Sequence, residues 1–240
     1  MTIEILYPEL GNLFGDMANA RYLQACAPDA QFHFTDIRST PYFVQHDVDM
    51  IYIGSMSEPK QVTAVQKLMP HRDRLKELIE RGVVVLATGN ATELFGQYIL
   101  DTAANAGHKT PMLGLFPYYA DRKIQEIRHN SMFLGDFEDI KMVGCRAQFS
   151  FIRGTLEHPF ITLRGGCGNS PEDKTEGIHY KNFFATYLLG PLLALNPLFT
   201  KYLLRLLGHD DALAFEQQAM EAYRFRLEQL EDPKANFHIG

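Results

Sequence analysis

Five consecutive apolar residues, Val83-Val84-Val85-Leu86-Ala87, follow Gly82 and run straight into the turn Thr88-Gly89-Asn90-Ala91. A strand that is apolar at every position has no face to offer to water, so it belongs inside a sheet covered on both sides. Parallel sheets flanked by helices meet that demand. The preceding residues fit the same plan. Ile3-Glu4-Ile5-Leu6-Tyr7 reads as a short strand, Gln31 to Ile37 alternates with a period of two, and Met50-Ile51-Tyr52-Ile53 ends at Gly54. Helical patterns lie between these strands. Asp16 to Ala27 sets Met17, Ala20, Leu23 and Ala27 on one side. Lys60 to Arg81 carries Val62, Val65, Leu68 and Met69, is interrupted by Pro70, and resumes with Leu75, Leu78 and Ile79 before Gly82 closes it. A further helix is expected from Thr92 to Leu100. The β-α-β-α order predicts an α/β sheet built from right-handed crossovers.

From Pro111 to Leu163 the pattern shifts to short β-like segments, among them Met112–Phe116 and Ala147–Phe151, and after Tyr180 the chain reads as helical almost to its end. The one candidate boundary is Gly208-His209-Asp210-Asp211, which precedes a polar helix. This divides the chain into a domain over residues 1–207 and a helical extension over residues 208–240. In the extension, Leu213, Met220, Tyr223, Leu227 and Leu230 recur near helical spacing, with Glu216 breaking the stripe. About two heptads are too few for an independent coiled coil. Packing on its own domain is therefore the first reading, and a partner or homodimer contact is the alternative.

Composition narrows the function. A net charge of −6 and a pI of about 5.8 give no general attraction to nucleic acid or to an anionic membrane. The longest apolar stretch, Phe183 to Leu195, is interrupted by Gly190 and Pro191 and falls short of the ~20 residues that a membrane span needs. The three cysteines, Cys26, Cys145 and Cys167, form neither a disulfide framework nor a zinc pattern, and the N-terminus lacks a signal-peptide character. A cytoplasmic protein is expected. Nine histidines lack ligand spacing, and no Gly-rich phosphate loop is present, so neither a metal nor a cofactor is expected.

Ligands of open α/β sheets gather beyond the carboxyl ends of the strands. Two turns qualify, Gly54-Ser55-Met56-Ser57 and Thr88-Gly89-Asn90-Ala91, which makes Gly54, Ser55, Ser57, Thr88 and Asn90 the candidate ligand-binding residues. The second turn looks like a nucleophile elbow with Thr88 as its first residue. A threonine there more often caps a helix, and its hydroxyl is a weak nucleophile without an activating base.

Several segments together resemble the class I glutamine amidotransferases, nearest to the GatD-type glutaminase subunits that serve lipid II amidation and, beyond them, to cobyric acid synthase. Asn12-Leu13-Phe14-Gly15-Asp16-Met17-Ala18-Asn19 is similar to an N-terminal signature of that group. Ile53 to Ser57 stands at its oxyanion turn, Val85 to Ile99 at its nucleophile strand and helix, and Gly168-Asn169, Glu172-Asp173-Lys174 and Glu176 to Pro191 at its C-terminal signature. The resemblance implies a three-layer, flavodoxin-like fold with a mostly parallel sheet. It also implies glutamine hydrolysis by a cysteine with a histidine base, and delivery of ammonia to a Mur-ligase-like or other synthetase partner. Carried over by position, the cysteine falls on Thr88, the histidine on Leu189, and a glycine of the elbow on Asn90, while the oxyanion turn reads Gly54-Ser55-Met56. His179, inside the C-terminal signature, matches a family histidine and reads as structural. Glu93, just after the elbow, faces either the pocket or solvent. The expectation is a glutaminase fold without glutaminase activity, acting as a binding or scaffolding subunit. An amidohydrolase with an unorthodox nucleophile and a stand-alone binder of small ligands are the alternatives.

Overall fold

A computed structural model describes residues 1–101, 107–123, 128–155 and 158–238. The first half winds as the sequence pattern requires: β1 (Thr2–Leu6), α1 (Met17–Cys26), β2 (Gln31–Thr35), β3 (Met50–Ile53), α2 (Glu58–Leu68), α3 (Arg72–Glu80) and β4 (Val84–Thr88). A β-rich middle follows: β5 (Tyr98–Asp101), β6 (His108–Pro111), β7 (Tyr118–Arg122), β8 (His129–Phe137), β9 (Ile140–Gln148), β10 (Ser150–Gly154), β11 (Ile161–Gly165) and β12 (Thr175–Glu176). Then come β13 (Ile178–Tyr180), β14 (Phe183–Thr186), α4 (Leu192–Leu195), α5 (Pro197–Leu206) and α6 (Glu216–Glu231).

The central sheet has six strands in the order β13-β14-β4-β3-β1-β2. All are parallel except the edge strand β13, which runs antiparallel to β14. β4 is flanked by β3 and β14 and buried at every position, as its unbroken apolar run demands. Its side chains serve two cores in alternation. Val85 and Ala87 join α2, α3 and the inner side of a four-stranded sheet, β10-β7-β5-β6. Val84 and Leu86 join α1, α4, α5 and a second four-stranded sheet, β12-β11-β8-β9. Each fully buried leucine in such a strand contributes about 2 kcal/mol of transfer free energy. The result is a three-layer α/β fold whose outer layers mix helices with small sheets.

Three sequence expectations are corrected. Thr92 to Leu100 is not one helix: a 3-10 segment, Gly89–Phe95, ends at Gly96, and β5 begins at Tyr98. Packing on both sides prevents a helix from continuing, because Leu94 and Phe95 are buried and Ile99 pairs with Ala120 of β7. Met112–Phe116 is not a strand. It is a loop that returns backbone hydrogen bonds to residues 94–97. The chain after Tyr180 is not wholly helical, since Phe183–Thr186 forms β14 beside β4. A short apolar run carries no period that separates a buried strand from a buried helix, and here sheet pairing decides.

α6 covers the outer face of the β8-β9 pair. Tyr223 and Leu230 pack on Leu134 and Val143, and the Tyr223 hydroxyl donates to the Lys141 carbonyl at 2.8 Å. Phe237 follows, its carbonyl accepting from the Met132 N–H at 2.8 Å. Residues 239–240 of the expected extension lie outside the described residues. No helix among the described residues is long and apolar enough to cross a membrane.

Candidate functional site

The carboxyl ends of β3 and β4 bring the two candidate turns together. Thr88, the last residue of β4, has ordinary extended angles (φ −115°, ψ 151°) and no solvent exposure. Its hydroxyl points down into the fold. It donates to Asp16 Oδ2 at 2.9 Å and lies 3.0 Å from the Tyr52 hydroxyl. The sharp turn comes one residue later, at Gly89, where φ is +57°. A nucleophile elbow concentrates its strain on the residue that projects above the sheet. By that geometry the projecting position is Gly89, and Thr88 belongs to the floor. The sequence expectation put Thr88 at the elbow, whereas the left-handed turn lies at Gly89.

Nothing can project from Gly89 in its present surroundings. A Cβ built there would stand 2.4 Å from Ser55 Cβ, well inside van der Waals contact. Ser55 therefore fills the space in which a side chain at position 89 would begin. Above them lies a cleft lined by Gly89, Ser55, Asn90, Glu93, Tyr187 and Leu189, with Leu13 and Phe14 at its rim. Its free volume is about 30 Å³, room for ~2 water molecules. Leu189, almost fully buried, presents an alkyl side chain to this cleft, while its N–H donates to the Cys145 carbonyl at 3.0 Å.

The backbone donors of the first turn already have partners. Ser55 N–H donates to Asp16 Oδ2 at 2.6 Å, and Met56 N–H donates to Asn90 Oδ1 at 2.9 Å. Asn90 closes the exchange by donating its Nδ2 to the Met56 carbonyl at 2.7 Å. An oxyanion site needs N–H groups free to meet a developing charge, and these two are committed within the chain. Of the five candidate binding residues, Ser55 and Asn90 line the cleft, whereas Gly54, Ser57 and Thr88 do not.

Asp16 and Glu93 hold the surrounding segments in place. Asp16 is fully buried. Besides Ser55 and Thr88 it accepts a backbone hydrogen bond from Gly190 and a longer one, 3.4 Å, from Asn19 Nδ2. Burial raises its carboxyl above the usual range, against the pull of these donors. Gly190 can approach so closely only because a Cβ there would meet Asp16 Oδ1 at 2.4 Å. Glu93 is buried and borders the cleft. Arg122 Nη2 reaches its Oε2 at 2.6 Å, Gln61 Nε2 the same oxygen at 3.1 Å, and the Tyr187 hydroxyl its Oε1 at 3.1 Å. Burial works against the Arg122 charge, but the Glu93 carboxylate outweighs it and holds the guanidinium pKa up.

Among the described residues, no thiol or imidazole lines the cleft. Burial pushes Cys26, Cys145 and Cys167 above the ordinary thiol value, opposite to the shift that activates a nucleophile. His179 stacks on Phe184 with ring centroids 4.7 Å apart, on the edge strand β13, and burial lowers its pKa. Two residues of weight were missed from sequence, Gly89 and Asp16. A glycine directly after a buried strand was the available sign for the first, since a turn there commonly needs positive φ.

Comparison with known proteins agrees with this architecture. The family model described as the CobB/CobQ-like glutamine amidotransferase domain matches residues 2–197. The lipid II isoglutaminyl synthase (glutamine-hydrolyzing) subunit GatD of Staphylococcus aureus (strain N315) is 29% identical over 216 residues, covering 88% of this chain and 85% of the relative. Its counterpart from Streptococcus pneumoniae (strain ATCC BAA-255 / R6) is 29% identical over 204 residues, covering 82% and 76%. Among solved structures, a glutamine amidotransferase matches with a TM-score of 0.55 at 12% identity, over 85% of this chain and 98% of that one. A glutamine amidotransferase from Thermotoga maritima matches with a TM-score of 0.51 at 9% identity, over 96% and 90%.

Proposed function

The chain belongs to the CobB/CobQ-like glutamine amidotransferase family, and we propose that within it this protein is a subunit that no longer hydrolyses glutamine and serves a synthetase partner by binding. The observation that carries this reading is the mutual exclusion at the elbow. Ser55 Cβ stands where a side chain at position 89 would start, and Leu189, which the family resemblance puts at the base position, lines the same cleft. Leucine accepts no proton. Loss of either member of a nucleophile–base pair removes most of the rate, and loss of both is little worse.

The fold around the site is kept intact. Asp16 still ties the Ser55 turn, the end of β4 and Gly190 to one carboxylate, and Glu93 still joins the elbow to α2 and β7. A surface of family shape with a filled reaction site suits docking. The relatives are described as subunits of lipid II isoglutaminyl synthase, so a Mur-ligase-like synthetase is the partner to try first. Residues 1–207 form the family domain in this reading, with residues 208–240 an extension laid against it. The ligand-binding alternative is disfavoured by the size of the cleft, and the Thr88-nucleophile alternative by the burial of its hydroxyl.

The test is co-expression with a Mur-ligase-like synthetase from the same organism, followed by affinity capture and an ammonia-release assay with glutamine. A captured heterodimer without ammonia release is expected. Ammonia release that Thr88→Ala abolishes would replace this reading with catalysis, and failure to capture the synthetase would remove the docking role.

A further inference from the structure

The helix that covers the β8-β9 pair carries a second stripe, on the side turned away from the domain. Gln218, Ala222, Phe225 and Gln229 succeed one another at spacings of three and four, the a and d positions of a short heptad pattern, and Phe215 stands just before the helix. None is charged. Phe225 is 63% exposed and Phe215 73% exposed, the two most exposed large apolar side chains of the described residues. Phe215 also adopts left-handed backbone angles (φ 54°, ψ 38°), which strain a non-glycine residue and are retained only where the surroundings or a function demand them.

The charges flanking this stripe indicate what covers it. Glu221 stands at the g position before Ala222, and Arg226 at the e position after Phe225. Among the described residues, Glu221 has no cationic partner, its carboxylate accepting from Gln217 at 2.9 Å, and Arg226, half-buried within electrostatic reach of the Cys145 thiol, makes no ion pair or hydrogen bond. Residues five apart do not face each other along one helix. Across two parallel helices in register, however, g of one meets the following e of the other, so Glu221 would meet Arg226 twice by symmetry. An antiparallel pairing would instead set Glu221 against Glu228. We propose that the outer face of α6 is a homodimer surface on which a second copy of this chain packs its own α6, parallel and in register.

The helix is already ordered by Tyr223 and Leu230 beneath it, so pairing need not bear the nucleation cost that defeats short isolated coiled coils. Its 16 residues span about 24 Å. A contact between two such short helices is small, so the dimer should be concentration-dependent.

Sedimentation velocity of the full chain, from about 1 µM to about 1 mM, should show a monomer–dimer equilibrium. Phe225→Glu should weaken it by roughly 30-fold or more. Glu221→Arg should weaken it about 2- to 5-fold, and the double variant Glu221→Arg/Arg226→Glu should restore it. Gln229→Cys should form a symmetric disulfide dimer on oxidation, with wild type as the control for the native thiols. A monomer throughout this range would overturn the proposal and leave the face to a different partner. A dimer indifferent to Phe225→Glu, a charge swap without rescue, or no disulfide at position 229 would overturn it equally. None of these residues touches the cleft, so the outcome is independent of glutaminase activity.

Discussion

Gly89→Cys is the substitution that most directly probes the filled elbow. In the present fold the new Cβ would lie 2.4 Å from Ser55 Cβ on a backbone with φ +57°. Overpacking of this kind costs about 1–3 kcal/mol, and a non-glycine residue in the left-handed region adds about 1–2 kcal/mol. The single variant should therefore lose on the order of 2–5 kcal/mol, readable as a lower midpoint in urea or guanidinium unfolding. Ser55→Gly removes the obstructing carbon, and the pair should show a favourable coupling of about 1–3 kcal/mol in a double-mutant cycle. In a chain of this size that is a recovery of very roughly 2–12 °C in Tm. Ser55→Ala is the decisive control. It deletes the hydroxyl that donates to the Leu13 carbonyl at 2.8 Å but keeps the Cβ, so it should not rescue. If Gly89→Cys is as stable as wild type, or if Ser55→Ala rescues it as well as Ser55→Gly, the steric reading of the elbow is wrong.

Two further outcomes follow from the buried charges. Glu93→Ala removes the carboxylate of its buried ion pair with Arg122 and should cost about 3–5 kcal/mol in denaturant unfolding; a loss below about 1 kcal/mol would show that the pair does not tie the elbow to β7. His179, whose pKa burial lowers, favours the neutral ring in the folded state. Its contribution to stability is thus present above the unfolded value of about 6.5 and is lost as pH falls through the lower folded value. His179→Phe keeps the stack on Phe184 and should flatten that part of the acid-side decline; an unchanged Tm–pH curve would contradict it.

How far the fold was legible depended on whether each segment declared its period. β4 did, because an apolar run between a helix-closing Gly82 and a turn has one sensible home, and it lies buried between β3 and β14. The two-piece helix around Pro70 did as well, appearing as α2 and α3 on either side of a 3-10 turn. β14 and β5 did not. Phe183–Thr186 and Tyr98–Asp101 are each four residues long, too short for periodicity to speak, and their state was set by strands remote in sequence. The outward stripe of α6 was hidden for a different reason. Its apolar residues are interleaved with glutamines, and the stronger inward stripe drew the reading to Leu213, Tyr223 and Leu230.

The site was legible as a set of departures but not in register. Thr88 drew the nucleophile assignment because it is the polar side chain at the strand end, and a sequence does not reveal on which side of the last pleat the turn begins. The backbone does: Thr88 completes the pairing with Thr186 of β14, and the chain reverses only at Gly89. That one-residue difference alters what the site can present to the cleft. With Thr88 as the elbow, the departure would be a weak nucleophile replacing a strong one, and activity could return with a base. With Gly89, there is no side chain, Ser55 fills the space beside it, and the N–H groups of the neighbouring turn donate to Asp16 and Asn90. These changes depend on one another. A serine at position 55 is compatible with a glycine at 89 and with nothing larger, so a thiol placed at 89 without reopening the turn would damage the fold.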